Sequence, residues 1–151
     1  MRLLIQKGER SLTLTDGEKT LLRARVGLGR CPQGGKAQAG DGRTPEGVYR
    51  ICLVKPEGKY GRSLGVSYPN AADANAALAQ GRIGEADHAA ILSAQREGRR
   101  PPWGTALGGE IYIHEGGAHA DWTEGCIALD SGDMDTLYPC RALITEVEIR
   151  P

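Results

Sequence analysis

The segment Glu110–Asp130, EIYIHEGGAHADWTEGCIALD, holds two of the chain's three histidines and one of its four cysteines. Glycines flank both candidate reactive side chains: Gly116 and Gly117 follow His114 closely, and Gly125 directly precedes Cys126. An isolated thiol is only a few per cent ionised at neutral pH, so a nucleophilic cysteine needs a base beside it. It also needs donors aimed at the developing oxyanion, typically backbone N–H groups that a neighbouring glycine lets approach. HEGG supplies an imidazole, and TEGC supplies a thiol behind a glycine. One reading of the segment is therefore a thiol–imidazole pair for acyl transfer. A second recruits His114, His119, Cys126 and Asp121 as metal ligands, although the closely spaced ligand pairs usual for structural zinc are missing. A third makes the segment a turn between two core strands. A Ser–His–Asp triad has no G-x-S-x-G elbow to stand on.

The pair must be positioned by the elements around it. In GEIYIHEGG, Ile111 and Ile113 point to one face of a strand and Tyr112 and His114 to the other. With the isoleucines facing core, His114 lies at a strand end on the opposite face. CIALDSGDMDTLYPC reads as a short strand entering a helix, with Asp130 as N-cap and Asp133 completing a capping box. The opening RLLIQK, SLTLTD and TLLRARVGL runs, separated by KGER and DGEK, predict a β-meander. A breaker-rich loop, GRCPQGGKAQAGDGRTPEG, leads to one strand, GVYRICLVKP. From Pro69 to Arg100, Ala, Leu, Glu and Gln dominate and predict helix, divided at Gly81 and Gly84, with Ala86–Arg96 the better half. His88 in that helix reads as a surface or packing residue. ALITEVEIRP predicts a closing strand.

Composition narrows the class. A chain of 151 residues makes one domain, 1–151, large enough for a real core. Lys plus Arg equal Asp plus Glu at 19 each, so no strong field draws it to nucleic acid. Phe is absent, while 22 glycines and 8 prolines favour a turn-rich, strand-rich fold. No apolar run approaches the roughly 20 residues that cross a bilayer, and Leu3–Ile5 is too short for a signal-peptide core. The other cysteines read as bland: Cys52 in a strand, Cys140 after a helix, Cys31 in an open turn.

IYIHEGGAHADWTEGCIALD resembles the signature of the L,D-transpeptidase catalytic domain (the YkuD or ErfK family): a His–Gly strand end, a short loop, then Ser/Thr-x-Gly-Cys. GDGRTPEGVYRI, Gly40–Ile51, resembles the family's Gly-Asp-x-x-Thr-Pro-x-Gly-x-Tyr block, preceded by GLGRCPQGGK. SLGVSYPNAADA and DMDTLY are similar to the YafK-like branch. The resemblance implies a mainly β sandwich or barrel with helical insertions, acting on peptidoglycan stem peptides. Carried over, Cys126 is the nucleophile and His114 its base. The N–H groups of Gly125 and Cys126 are oxyanion donors, Thr123 supports the turn, and Glu115, Gly116 and Trp122 lie around the cleft. Neither cofactor nor metal is implied.

The implied partners are a stem peptide or a wall-linked protein lysine, met by a monomer; the resemblance implies the cell envelope, whereas the N-terminal residues imply no export and hence a cytoplasmic chain. Water as acceptor would make the chain an L,D-carboxypeptidase or amidase. A degenerate wall-binding module is the remaining alternative, because Glu124 stands where many members carry a second histidine. Glu115 stands where Gly or Ser is common. Two such carboxylates near His114 are expected to raise its pKa and repel anionic substrate groups. An oxidising envelope would let some of Cys31, Cys52 and Cys140 pair.

Overall fold

Alternation of apolar and polar side chains builds the first sheet. The computed structural model describes residues 1–151 and forms β1 (Arg2–Gln6), β2 (Ser11–Asp16) and β3 (Lys19–Arg25) as the expected meander. Leu3 and Ile5 lie opposite Leu14 and Leu12, and all four are fully buried. The closing strand β9 (Glu146–Arg150) inserts beside β1 in parallel, with Val147 and Ile149 against Leu3 and Ile5.

The predicted strand GVYRICLVKP is two strands. β4 (Gly47–Tyr49) pairs with β9, and β5 (Ile51–Gly58) leaves for a second sheet. The chain turns at Arg50, whose N–H donates to Ser67 Oγ (3.0 Å) and whose carbonyl accepts from Ser67 N–H (2.9 Å). Those bonds replace the ladder that would have kept one strand straight. The first sheet thus runs β3–β2–β1–β9–β4.

β6 (Gly61–Val66), β7 (Tyr112–His114) and β8 (Ile127–Ala128) follow β5 in the second sheet, in the order β5–β6–β7–β8. Sequence patterning did not reveal β6, because two of its six residues are glycine. Gly65 is required there, since a Cβ would sit 2.9 Å from the Leu53 Cβ on the neighbouring strand. Leu64, Ile113 and Ile127 form one row across three strands, each fully buried. Burying such a side chain stabilises by about 1.5–3 kcal/mol. Because strand side chains alternate, the adjacent rows face the other way, and they carry Ser63, His114 and Ala128. Core packing on one face therefore fixes what the opposite face presents. We predict that Ile127→Val costs about 1 kcal/mol in a denaturant melt, the usual loss of one buried methyl.

Helices α1 (Ala71–Ala79) and α2 (Glu85–Arg96) occupy the predicted region and divide at Gly81–Gly84. A capping box starts α1, with Asn70 and Asp73 satisfying each other's backbone N–H groups. The box expected at Asp130 does not form. Asp130 precedes α3 (Ser131–Leu137) but makes no side-chain cap; its carboxylate instead accepts from Ala118 N–H (2.9 Å). A 3₁₀ turn, Tyr138–Leu143, leads into β9. One cluster of 25 buried residues draws on both sheets and the helices. This mainly β architecture with helical insertions fits the expected fold class.

Buried Lys7 ties the long loop after β3 to the first sheet, donating to the carbonyls of Gly34 and Thr44 (both 2.8 Å). Burial lowers its pKa, and Glu46 at 3.8 Å works against that. Thr44 Oγ1 in turn accepts from Gly29 N–H (3.0 Å). Loop residues Gly27 and Gly29 bridge to Ala128 and Thr123, so the Cys126 turn is held from both sides.

Candidate active site

Register places the predicted pair on one face of neighbouring segments. Parallel pairing of Ile113 with Ile127 and His114 with Ala128 puts Cys126 one step before β8, beside Tyr112. Tyr112 N–H donates to the Cys126 sulfur (3.3 Å), and the thiol donates to the Glu110 carbonyl (3.4 Å). His114 and Cys126 line the same cavity, of about 240 Å³, together with Lys55, Lys59, Tyr60 and Tyr112. A second cavity of about 400 Å³ also reaches Cys126, lined with it by Lys36, Trp103, Glu110 and Glu124. Cys126 and Glu110 belong to both, so the thiol lies on the boundary between two chambers.

Imidazole orientation follows from a backbone acceptor. The Glu115 carbonyl lies within hydrogen-bond reach of His114 Nδ1. A carbonyl can only accept, so Nδ1 carries the proton and Nε2 keeps its lone pair. Tyr60 stacks on the ring at 4.9 Å between centroids, and Trp122 meets it edge-on at 5.6 Å. Trp122 is pinned by its own N–H, which donates to the Gly117 carbonyl (2.9 Å). Gly116 makes that packing feasible, because a Cβ would come within 2.9 Å of the indole. Gly116 and Trp122 thus shape the site from behind the imidazole.

Electrostatics differ from the expectation. Burial lowers the His114 pKa, against the opposing pull of the Glu115 carbonyl bond. Neither carboxylate reverses this, because each is engaged elsewhere. Glu115 is gripped by Arg62 through the backbone N–H (2.6 Å), Nε (3.0 Å) and Nη2 (2.8 Å). The Arg62 side chain is foremost in holding the Glu115 pKa down at about 2. Glu124 is exposed and pairs with Arg30 at 3.3 Å. Burial also raises the Cys126 thiol, reinforced by the Glu110 charge and opposed by the Tyr112 N–H and by Lys36. Lowering one pKa and raising the other favours a neutral thiol beside a neutral imidazole.

Thr123 clamps the turn: its hydroxyl donates to the Cys126 carbonyl (2.8 Å) and accepts from Gly125 N–H (3.1 Å). The Gly125 N–H is therefore already engaged, whereas Cys126 N–H has no acceptor within the chain. Gly125 has φ +135°, and a Cβ there would lie 2.7 Å from the Arg43 carbonyl. The metal reading loses its members: Asp121 is bound by Arg10 (2.8 Å) and by Leu28 N–H (3.0 Å), and exposed His119 stacks on Trp122 at 6.4 Å. No group of three or more His, Cys, Asp or Glu side chains is arranged to hold an ion. All four cysteines are free, with Cys31 exposed and the others partly buried.

The sequence profile of the L,D-transpeptidase catalytic domain (YkuD) matches residues 1–149. The chain belongs to the L,D-transpeptidase catalytic domain family. No curated protein sequence matches it significantly. Solved structures share the L,D-transpeptidase fold at low identity. A mutant of the helical cell shape determining protein Pgp2 from Campylobacter jejuni superposes with TM-score 0.67 at 22% identity, covering 97% of this chain and 45% of that one. An L,D-transpeptidase from Mycobacterium smegmatis gives 0.52 at 11%, covering 99% and 58%. Bd1075 from Bdellovibrio bacteriovorus gives 0.53 at 18%, covering 98% and 46%. The chain spans about half the length of these structures.

Within this L,D-transpeptidase domain, several cleft residues carried no signal in the sequence. Tyr60, Lys55 and Lys59 reach the site only because β6 pairs with β7, a register no local pattern announced. Lys36 arrives through the loop after β3, held by Asp41 (2.8 Å). Tyr112 was legible, since it shares a strand face with His114. Arg62 has the clearest mechanical role, bracing the residue whose carbonyl orients the imidazole. We predict that Arg62→Ala lowers turnover about tenfold while Arg62→Lys retains part of it, read by steady-state kinetics. The Glu115 contribution to stability is complete above its ordinary 4.5 and is lost as pH falls toward about 2. Acid melts of the Arg62→Ala protein should lack that loss.

Proposed function

We propose that the domain is a cysteine acyltransferase acting on peptidoglycan stem peptides, with Cys126 as nucleophile and His114 as base. The supporting observation is the cavity that thiol and imidazole both line, with the imidazole proton held on Nδ1 and Nε2 left with its lone pair. As the sulfur attacks the peptide carbonyl, its proton passes to His114 Nε2 and the S–C bond forms. The tetrahedral oxyanion is met by the unengaged Cys126 N–H. Collapse breaks the C–N bond, and the imidazolium returns the proton to the departing amine, D-alanine in this family's chemistry. A thioester remains. An incoming amine gives its proton to His114, attacks the thioester and restores the thiol.

Two chambers meeting at the sulfur suit such two-substrate chemistry, one for the acyl chain and one for what leaves and arrives. The small volume beside His114, about 240 Å³, favours a compact acceptor. Water is the smallest, so L,D-carboxypeptidase action is the second reading. Peptidoglycan as substrate places the domain at the cell envelope. No helix is long and apolar enough to cross a membrane. The Campylobacter neighbour is described as determining helical cell shape, and a wall-remodelling role of that kind is consistent with this reading.

Intact-mass spectrometry tests the proposal. Incubation with a stem tetrapeptide should add the mass of the peptide less D-alanine to the protein. Adding an amine should then yield the exchanged peptide from a transferase and only the tripeptide from a hydrolase. Absence of any covalent adduct, with tetrapeptide left intact, would refute the acyltransferase reading.

A further inference from the structure

Resting on the acyltransfer reading, we propose that the chamber beside His114 receives the leaving residue and then the acceptor, and that Lys55 and Lys59 select there for amines carrying a neighbouring carboxylate. Proton traffic assigns the side. One imidazole must protonate the departing nitrogen and deprotonate the arriving one, so both nitrogens pass on its side of the sulfur. His114 lines the smaller cavity and is absent from the walls of the larger. The acyl chain is left with the larger one.

Charge then defines what enters. Arg62 is paired with Glu115 and Asp135, Arg30 with Glu124, and Lys36 with Asp41. Lys55 and Lys59 have no ion-pair partner within the chain, and both line the smaller cavity. Each ammonium rests over an aromatic face of that cavity: Lys55 lies 4.8 Å from the Tyr112 ring centre, and Lys59 lies 5.3 Å from that of Tyr60. A cation over a ring is held in place without being neutralised, so its charge remains available to an anion. Glu110 lines both cavities and Glu124 only the larger, so the smaller one sets two unpaired ammonium groups against a single carboxylate.

A residue leaving from a peptide C-terminus carries its carboxylate one carbon from the scissile nitrogen. A free amino acid, or the amine at the second centre of a diamino acid, has the same arrangement. Simple amines do not. The chamber's chemistry therefore favours α-amino carboxylates both as leaving group and as acceptor.

The experiment compares two stem tetrapeptides, one ending in D-alanine and one in D-alaninamide, as acyl donors. The wild-type protein should favour the carboxylate at least about tenfold in kcat/KM, as expected for charge-assisted contacts on a partly exposed wall. Lys55→Ala/Lys59→Ala should bring the ratio near unity by slowing the acid substrate alone, and Lys55→Arg/Lys59→Arg should preserve it. D-Alanine and D-alaninamide as acceptors should show the same pattern in the mass of the exchanged product. An unchanged ratio in the double alanine protein overturns the inference. Should no turnover occur, the acyltransfer reading falls separately, and binding decides the subsite. Both peptides are then titrated into Cys126→Ala protein by ¹H–¹⁵N NMR. Tighter binding of the acid, lost on adding the two lysine-to-alanine changes, supports the subsite; equal binding of acid and amide overturns it.

Discussion

Cys126→Ala is expected to abolish both the covalent adduct and product release, a loss on the order of 10⁴-fold or more, because no other thiol lines either chamber. The fold should survive the change. The sulfur makes only two weak contacts, with Tyr112 N–H at 3.3 Å and the Glu110 carbonyl at 3.4 Å, and its side chain fills no part of the buried cluster. A melting temperature close to wild type, together with silent intact-mass and kinetic assays, is the expected pair of readings. Cys126→Ser should remain nearly as inactive, since a hydroxyl ionises far less readily than a thiol and the buried imidazole is a modest base. Turnover surviving in the alanine variant would remove this residue from the mechanism.

His114→Gln should lower kcat by about 10²–10⁴-fold, the usual worth of a positioned general base. The pH dependence separates this base from an inert packing histidine. Burial puts the imidazole below its ordinary 6.5 and the thiol above its ordinary 9.0, so wild-type activity should rise through an acid limb below 6.5. It should then hold a plateau up to the thiol's own ionisation. In the glutamine variant the acid limb should vanish, with rate following the thiolate as pH climbs past 9.0. Iodoacetamide labelling of Cys126 should show the same alkaline rise. Rapid labelling near pH 5 would instead reveal a preformed thiolate–imidazolium pair and overturn the neutral-pair assignment.

Local pattern carried much of this design. SLTLT alternation foretold the buried Leu12 and Leu14, and the Ile111/Ile113 alternation foretold which side His114 would face. Glycine positions marked the division between α1 and α2. Tertiary relations were not legible. β6 was hidden because glycine and serine weaken the strand signal, yet its register delivers Tyr60 to the imidazole. Arg62 and Glu115 are far apart in the chain, so nothing local showed that the carboxylate would be gripped by a guanidinium rather than acting on His114. Burial of the ring, which no local pattern announced, gives the histidine shift the opposite sign from the one expected. Asp130 misled for a related reason: a free loop N–H at Ala118 competed for its carboxylate and won it from the helix. Arg50 broke one apparent strand because its partner, Ser67, lies on the far side of β6.

The side-by-side placement of β1 and β9 has a bearing on biosynthesis. During translation β1 emerges well before its parallel neighbour β9, so one flank of it stays unsatisfied while the residues between them are made. Closing so long a loop is entropically costly and slows folding, so the first sheet cannot be completed across β1 until Glu146–Arg150 is made. In that interval the bare edge of β1, with Leu3 and Ile5 uncovered on one side, is the surface a chaperone would have to shield.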